Sequence, residues 1–600
     1  MIERLRDSRR ATEAGYVAVI TAMLASAVLI GMAAVGVDTS RWYWEVERVQ
    51  KAADAAALAG VTYMPNDLAS ARTTAIASAT KNGYPNSGDT SVTVVQGDKP
   101  SELKVTISSR IENTFGGFLG VHNATIVRSA VADYTAPAPM GSPCNTFGNE
   151  PPSQAAPAAQ PAGSALPTTP FPNCSTQPNF WGAIEGPTTD KLEGDRYMTK
   201  VCAGSSTYNC SGGTNIEHRP DGYYWAVHVE PQAVGTQISV QIYDPAYIFT
   251  QITCASLYTT GSLVNNMNPY ATTDGRTRYA QVASTATARR YCSGDYKPGA
   301  GSTTDPPTTS FVLRHQNDTF NPKAATPISG CTKQFVGLST PPSINQLTST
   351  NSSYNLHMAQ LLHQWVELCS FTPDKPGDYY VQVRTDVSAG GTAVPNPNPS
   401  GGFRTPLIYT GNTAAEAAAG NTLAGTGLNS FALRAVPTNT AMAQYIAMAG
   451  NESMPILQND PSNTVTFNLI RALPGTRGQY IAFDFYDAAD GSGAGGGTVR
   501  IVAPADATGS IKATSNIPNC KHAKNNAAYT NATNCTVSVS NSTHNGQLEH
   551  IVIPIPNDYN CNPATLGGCW FSVQITFSGS VTDFTTWTAN IGGDPVRLIE

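Results

Sequence analysis

Between Tyr16 and Val37 the sequence YVAVITAMLASAVLIGMAAVGV holds no charged residue. At about 1.5 Å per residue this run is roughly 33 Å long, enough to cross a bilayer's hydrocarbon core, and longer than the ~7–15-residue apolar core of a cleaved signal. The pattern therefore predicts a single transmembrane helix over 16–37, preceded by residues 1–15. Arg4, Arg6, Arg9 and Arg10 lie before it, against Arg41, Arg48 and Lys51 after it. That bias predicts a cytoplasmic N-terminus and an extracytoplasmic remainder. Within the span, Ala18, Ala22 and Ala25 or Ser26 recur at three- and four-residue steps, which is either ordinary small-residue content or a face that lets another span approach closely.

No proline occurs before Pro65, so the helix is expected to continue out of the membrane to Gly60. Trp42, Tyr43 and Trp44 suit the membrane–water interface. Beyond them Val49, Ala53, Ala56 and Gly60 fall on one narrow face of small residues, a candidate helix-packing face for a helix or a sheet. Asp67 to Asn82 reads as a short amphipathic helix, and strands are expected at 91–95, 103–108 and 125–134, with a turn near 115–119. Residues 38–134 then form a small pilin-like α/β module.

Residues 135–178 are rich in Pro, Ala and Ser and are expected to be a linker, partly extended as polyproline II. Past it the pattern alternates around Gly and Pro turns. GYYWAVHVEP followed by TQISVQIYDPAYIF resembles QYIAFDFYDAADG followed by TVRIVAP, which suggests an imperfect duplication. Further strands are expected at 311–315, 377–385, 430–436, 547–554 and 570–579, and weak helical periodicity only at 357–368 and 414–419. The expected fold class is membrane-anchored α+β: the helix and its module, then two antiparallel β-sandwich domains at 179–390 and 425–600 joined by a linker at 391–424. A single intertwined β unit is the other arrangement the pattern allows.

Composition sharpens this picture. Charged residues are 13% of the 600, beside 52 Gly and 42 Pro, as in a loop-rich β protein. A formal net charge of −6 gives no nucleic-acid footprint. All 12 Cys lie at or beyond Cys144, and an even number on the outer side reads as disulfides. Short loops suggest Cys202 with Cys210, Cys520 with Cys535 and Cys561 with Cys569. There is no Cys-x-x-Cys or His-Glu-x-x-His, so no metal site and no cofactor are expected. Gly491 to Gly496 formally fits Gly-x-Gly-x-x-Gly but leads into a strand-like TVRIVAP instead of a helix. Asp484, Asp487 and Asp490 are either calcium ligands or solvated loop carboxylates. Tyr223, Tyr224, Trp225, Trp570 and Trp587 suit a sandwich core better than a binding surface. No catalytic constellation emerges, and the chain is not expected to be an enzyme.

One stretch carries a resemblance. Gly15-Tyr16-Val17-Ala18-Val19, then Val37-Asp38, Arg41-Trp42-Tyr43, Gln50 and Ala52 through Gly60 resemble the N-terminal region of the TadE/TadG-like proteins of Flp (tight adherence) pilus assembly. The likeness is specific here, extends more weakly to Tyr134, and covers less than a quarter of the chain. It implies a single-pass, pilin-like bacterial membrane protein whose partners are the membrane and pilus or secretion-machine proteins reached through the N-terminal helix. Processed pilin-like members carry Glu five residues after the Gly; Ile20 stands there. The metal-binding Asp-x-Ser-x-Ser of some TadG-like members is begun by Asp38-Thr39-Ser40 and broken at Trp42. The alternative reading is a membrane-anchored adhesin whose β domains bind glycan or protein.

Overall fold

In the computed structural model of the protein the uninterrupted N-terminal stretch is one helix, α1, Ile2–Val61, of 60 residues, about 90 Å long at 1.5 Å per residue. The structure describes residues 2–64, 68–98, 102–134, 138–141, 144–148, 180–186, 189, 193–196, 221–250, 293–296, 307–317, 321–337, 343–354, 359, 361–385, 427–460, 464–489, 496–512, 517–564, 567–579, 581–592 and 596–598, with side chains from Gly15 onward except at 118, 119, 336, 344, 459, 460, 581, 596 and 597. The chain divides into two units, Met1–Thr135 with Asp594–Glu600, and Ala136–Gly593.

In the first unit, α2 (Leu68–Lys81) and the antiparallel strands β1 (Thr90–Gln96), β2 (Glu102–Glu112) and β3 (Asn123–Tyr134) follow α1. Ala71, Ala75 and Ala79 recur every fourth residue on α2 and are all buried, the spacing that lines one helical face. They meet Val49, Ala52, Ala53, Ala56 and Ala57 of α1 and Val92, Val94, Leu103, Val105 and Ile107 of the sheet in the module's buried interior. Small side chains on both helices let the backbones approach closely. A fourth strand, Val596–Leu598, pairs antiparallel with β3, Val596 opposite Tyr134. The module expected over 38–134 is thus completed by residues read as the end of a β-sandwich. Three residues are too few to show any period.

The second unit begins inside the stretch expected to be a linker. β4 (Pro139–Met140) and β5 (Thr146–Phe147) are strands of its sheets, with Met140 and Phe147 fully buried. The remainder of that stretch, 149–178, lies outside the described residues. There follow β6 (Phe180–Glu185), β7 (Tyr223–Val229), β8 (Ile238–Tyr243), β9 (Thr308–Arg314), β10 (Pro327–Val336), β11 (Trp365–Phe371), β12 (Gly377–Thr385) and β13 (Leu428–Pro437). Next come β14 (Ile446–Asn451), β15 (Ser453–Asp460), β16 (Thr464–Arg471), β17 (Tyr480–Tyr486), β18 (Gly497–Val502), β19 (Lys521–Lys524), β20 (Thr530–Asn531) and β21 (Thr536–Val539). Last are β22 (Leu548–Pro554), β23 (Trp570–Phe577) and β24 (Val581–Gly592). The weak helical pattern at 357–368 is overridden at its end by β11; that at 414–419 lies outside the described residues.

Pairing arranges these strands in two layers. One runs β10-β9-β12-β7-β14-β4-β16-β23-β18-β21. The other runs β11-β8-β13-β6-β15-β24-β17-β22-β19-β20. Seven strands, β7 through β13, recur in order as β16, β17, β18, β21, β22, β23 and β24, and every pairing of the first set has its counterpart in the second. A 3₁₀ turn opened by proline joins the first two strands of each set, Pro231–Ala233 and Pro474–Thr476. A duplication is present, but one strand out of step with the one the sequence suggests: β17 corresponds to β8, not to β7, and β18 to β9, not to β8. The copies meet about a pseudo-twofold between β14 and β4 in one layer and between β6 and β15 in the other.

The copies are not separate domains, however. β6 and β13, from before residue 391 and after residue 424, are hydrogen-bonded neighbours, as are β7 and β14. The expected boundary at 391–424 therefore falls within one folded unit, because the strand ahead of each copy completes the sheet of the other. Between the layers Trp225 packs edge-on against Phe431 at 5.2 Å and Phe467 against Trp587 at 5.4 Å. The large indole sits on opposite layers in the two copies, so total core volume is preserved. Tyr223, Tyr224 and Trp570 are buried too.

Candidate membrane and assembly interface

The exposed apolar surface of the first unit is concentrated on α1. Tyr16, Val17, Val19, Met23, Leu24, Val28, Leu29, Ile30, Met32, Val35 and Val37 all face outward, and among the described residues this is the one helix long and apolar enough to cross a membrane. At Asp38 the helix passes from that bare surface to the packed module.

Asp38 is buried. Its carboxylate accepts the backbone N–H groups of Thr114, Phe115 and Gly116 at 2.8, 3.0 and 2.7 Å, which open the 3₁₀ turn Gly116–Leu119 between β2 and β3. Burial raises its pKa, but these three donors and the Arg41 charge outweigh it and hold the carboxyl below its ordinary range. One turn further along α1, the Trp42 indole N–H donates to Asn113 Oδ1 at 2.8 Å, and Arg41 donates to the Thr114 hydroxyl. The tip of the β2–β3 hairpin is thereby tied to α1 within one turn of the end of the span.

Above this tie, buried Glu45 accepts from Ser109 Oγ at 2.8 Å and from the Tyr84 hydroxyl at 3.1 Å. Burial, then the Glu45 charge, pushes the Tyr84 phenol up to about 12. Gln50 Nε2 donates to Ser129 O at 3.2 Å and Ser78 Oγ to Ala55 O at 3.2 Å, pinning α1 to the sheet and to α2.

The proposed helix-packing face lies here. Val49, Ala53, Ala56 and Gly60 are buried against α2 and the sheet of their own module. A Cβ at Gly60 would stand 2.6 Å from Leu103 Cδ2 and 2.7 Å from Ala71 O. These four residues therefore serve the chain's own fold. The span remains open on α1, Ala18, Ala22, Ala25 and Ser26 included.

Asp38 and Glu45 went unassigned in the sequence. Two acids spaced seven apart on a helix leaving a membrane look like ordinary solvated residues; the signal available was Asp38's place directly after 22 uncharged positions.

Other chemistry-bearing groups resolve into structural roles. Ser293, His363 and Asp244 come together, but Ser293 Oγ donates to Asp244 Oδ2 at 2.8 Å, and all three are buried. A nucleophilic serine would need its hydroxyl on the imidazole and access to substrate. Asp484 bonds His550 Nδ1 at 2.8 Å while Asp487 is buried at a strand end, accepting Gly546 N–H at 2.5 Å; Asp490 lies outside the described residues. The two carboxylates are engaged separately and form no common calcium site. Asp506 lies beside Cys561 and Cys569, but those sulfurs are joined to each other, and Asp506 accepts the N–H groups of Asn562 and Cys569. Gly497–Val502 is a strand, which removes the helix N-terminus a dinucleotide would need.

Disulfides join Cys520 with Cys535 and Cys561 with Cys569, the two expected pairs that fall on described residues. A third joins Cys331 with Cys369 across 38 residues. Cys202 and Cys210 lie outside the described residues.

Residues 15–71 match the family model for putative Flp pilus-assembly TadE/G-like proteins. The TadE/G-like segment covers the exposed span, the Asp38 tie, the buried half of α1 and the first residues of α2. It relates this end of the chain to pilus assembly and stops well before the duplicated β unit. No curated protein and no solved structure matches the chain.

Proposed function

We propose that this chain is a TadG-like, single-pass component of a bacterial Flp pilus or secretion machine. Its N-terminus lies in the cytoplasm, its span packs against other membrane components, and its disulfide-stapled β unit is held outside. The observation that carries this reading is the change of character along one helix: a bare apolar surface up to Val37 gives way to a helix whose Val49, Ala52, Ala53, Ala56, Ala57 and Val61 are buried in its own module. A helix with lipid on one half and its own module on the other is built to hold a head at the membrane. Among the described residues the β unit's buried Asp, His and Ser groups are bonded to one another and to backbone; on this reading the unit is displayed and makes contacts.

The test is complementation of a strain lacking the chain, scored by pilus filaments on the cell surface. Restoration by the full chain, and failure when Ala18, Ala22 and Ala25 are replaced together by Leu with the chain still in the membrane, is the expected result. Normal filaments without the chain would overturn the proposal.

A further inference from the structure

We infer that the tip of the β2–β3 hairpin, residues 114–121, is a second membrane contact beside the transmembrane helix, resting in the boundary between lipid headgroups and acyl chains. The inference rests on the reading of α1 as a membrane span.

Height is the first observation. Asp38 follows Val37 directly, and its carboxylate holds the N–H groups of Thr114, Phe115 and Gly116. Trp42 holds Asn113. The tip therefore sits alongside helix positions 38–42, within about 6 Å along the axis of the end of the span at 1.5 Å per residue. Aromatic residues at this level are characteristic of membrane interfaces.

Chemistry is the second. The segment TFGGFLGV, 114–121, contains no charged residue. Phe115 is 38% exposed and Val121 51% exposed, an unusual investment of apolar surface for a hairpin tip in water. On α1 at the same level Tyr43 and Trp44 are 73% and 63% exposed. Together they extend the apolar surface of the span sideways, and the occupant continuous with that surface is lipid.

Shape is the third. Gly116 approaches the Val121 carbonyl so closely that a Cβ would lie 2.7 Å from it, and Gly120 turns the chain at φ 81°. The tip is a compact turn fixed by Asp38, so Phe115 and Val121 are presented on a formed surface. The opposite end of the sheet provides an internal reference. Leu103 packs on Gly60, 18 residues beyond Trp42 and so about 27 Å farther from the membrane, and Val95 in the neighbouring strand there is 40% exposed.

The experiment places a nitroxide at single introduced cysteines in the full chain, reconstituted in vesicles of phosphatidylethanolamine and phosphatidylglycerol. Collision with oxygen and with a water-soluble nickel chelate is read at Val121→Cys, Phe115→Cys, Val95→Cys and Leu29→Cys, with the unsubstituted chain labelled in parallel as background. The expected result is a severalfold higher oxygen-to-nickel ratio at 121 and 115 than at 95, approaching that at 29. A high ratio at 29 with 121 and 115 equal to 95 would overturn this inference and leave the span intact. Low collision with both reagents at 121 and 115 would mean protein covers the tip, and would overturn it equally. A low ratio at 29 itself would remove the span on which the inference rests.

Discussion

Asp244 and Asp487 hold the same corner in the two copies of the β unit. Each follows the second strand of its set, each has positive φ, 54° and 63°, and each is buried. Asp244 N–H donates to Gln364 O at 3.1 Å and Asp487 N–H to Gln547 O at 3.0 Å. In return Asp244 Oδ1 accepts from His363 N–H at 3.0 Å and Asp487 Oδ1 from Gly546 N–H at 2.5 Å. This reciprocal lock joins the second strand of each set to its fifth.

Replacing either aspartate by alanine leaves an N–H without its acceptor, buried at His363 and half-buried at Gly546; the buried case costs about 1–3 kcal/mol. Asp244→Ala is expected to cost more than Asp487→Ala, since Asp244 also accepts from Ser293 and contacts His363 at 3.0 Å. Urea unfolding of the two variants measures the difference; equal and negligible losses would contradict the lock.

Gly60→Leu is expected to disrupt the first unit. The added side chain would meet the Ala71 carbonyl, which is backbone and cannot swing aside. Overpacking of this kind costs about 1–3 kcal/mol or more. The check is limited proteolysis: faster cleavage between α1 and β3 with the β unit still resistant.

A pH dependence centres on His228. Burial lowers its pKa, but hydrogen bonds to Asp378 at 2.6 Å and to Glu230 outweigh burial and raise it from 6.5 to about 10. Because the folded value is raised, this pair's stabilisation is complete below the unfolded pKa and is lost as pH rises through about 10. The ring is about one-third exposed, so solvent screening keeps the effect small. The melting-temperature difference between the parent chain and His228→Gln is expected to shrink from neutral pH upward. A difference that does not change with pH would contradict it.

Peptide mapping under non-reducing conditions should recover Cys331–Cys369, Cys520–Cys535 and Cys561–Cys569. Losing the 15-residue link through Cys520→Ser with Cys535→Ser is expected to cost about 3 kcal/mol on the chain-entropy account.

Much of this architecture was legible. The uncharged run, the helical period of residues 67–82 and the period-two strands each imprint a local pattern; β4 and β5, two residues each, are too short to do so within a Pro- and Ala-rich stretch. The alternating pattern suggests a duplication but matches GYYWAVHVEP to QYIAFDFYDAADG, one strand out of step, because period-two alternation is the same in every strand of a sandwich and does not say which two correspond. What was not legible is long-range. Pairing of β6 with β13 and β15, which fuses two expected domains into one, leaves no mark on either segment alone. Cys331 finds Cys369 because β10 and β11 end up adjacent. Asp38 reads as a surface acid until a turn 76 residues away supplies its three donors.

On the proposed topology α1 spans the membrane with the β unit outside. Its most direct test is protease treatment of spheroplasts carrying epitopes ahead of Arg4 and after Glu600. The C-terminal epitope is expected to be digested from outside while the N-terminal one survives until the membrane is opened. Survival of the C-terminal epitope in intact spheroplasts, followed by its loss on lysis, would place the β unit inside and contradict the account.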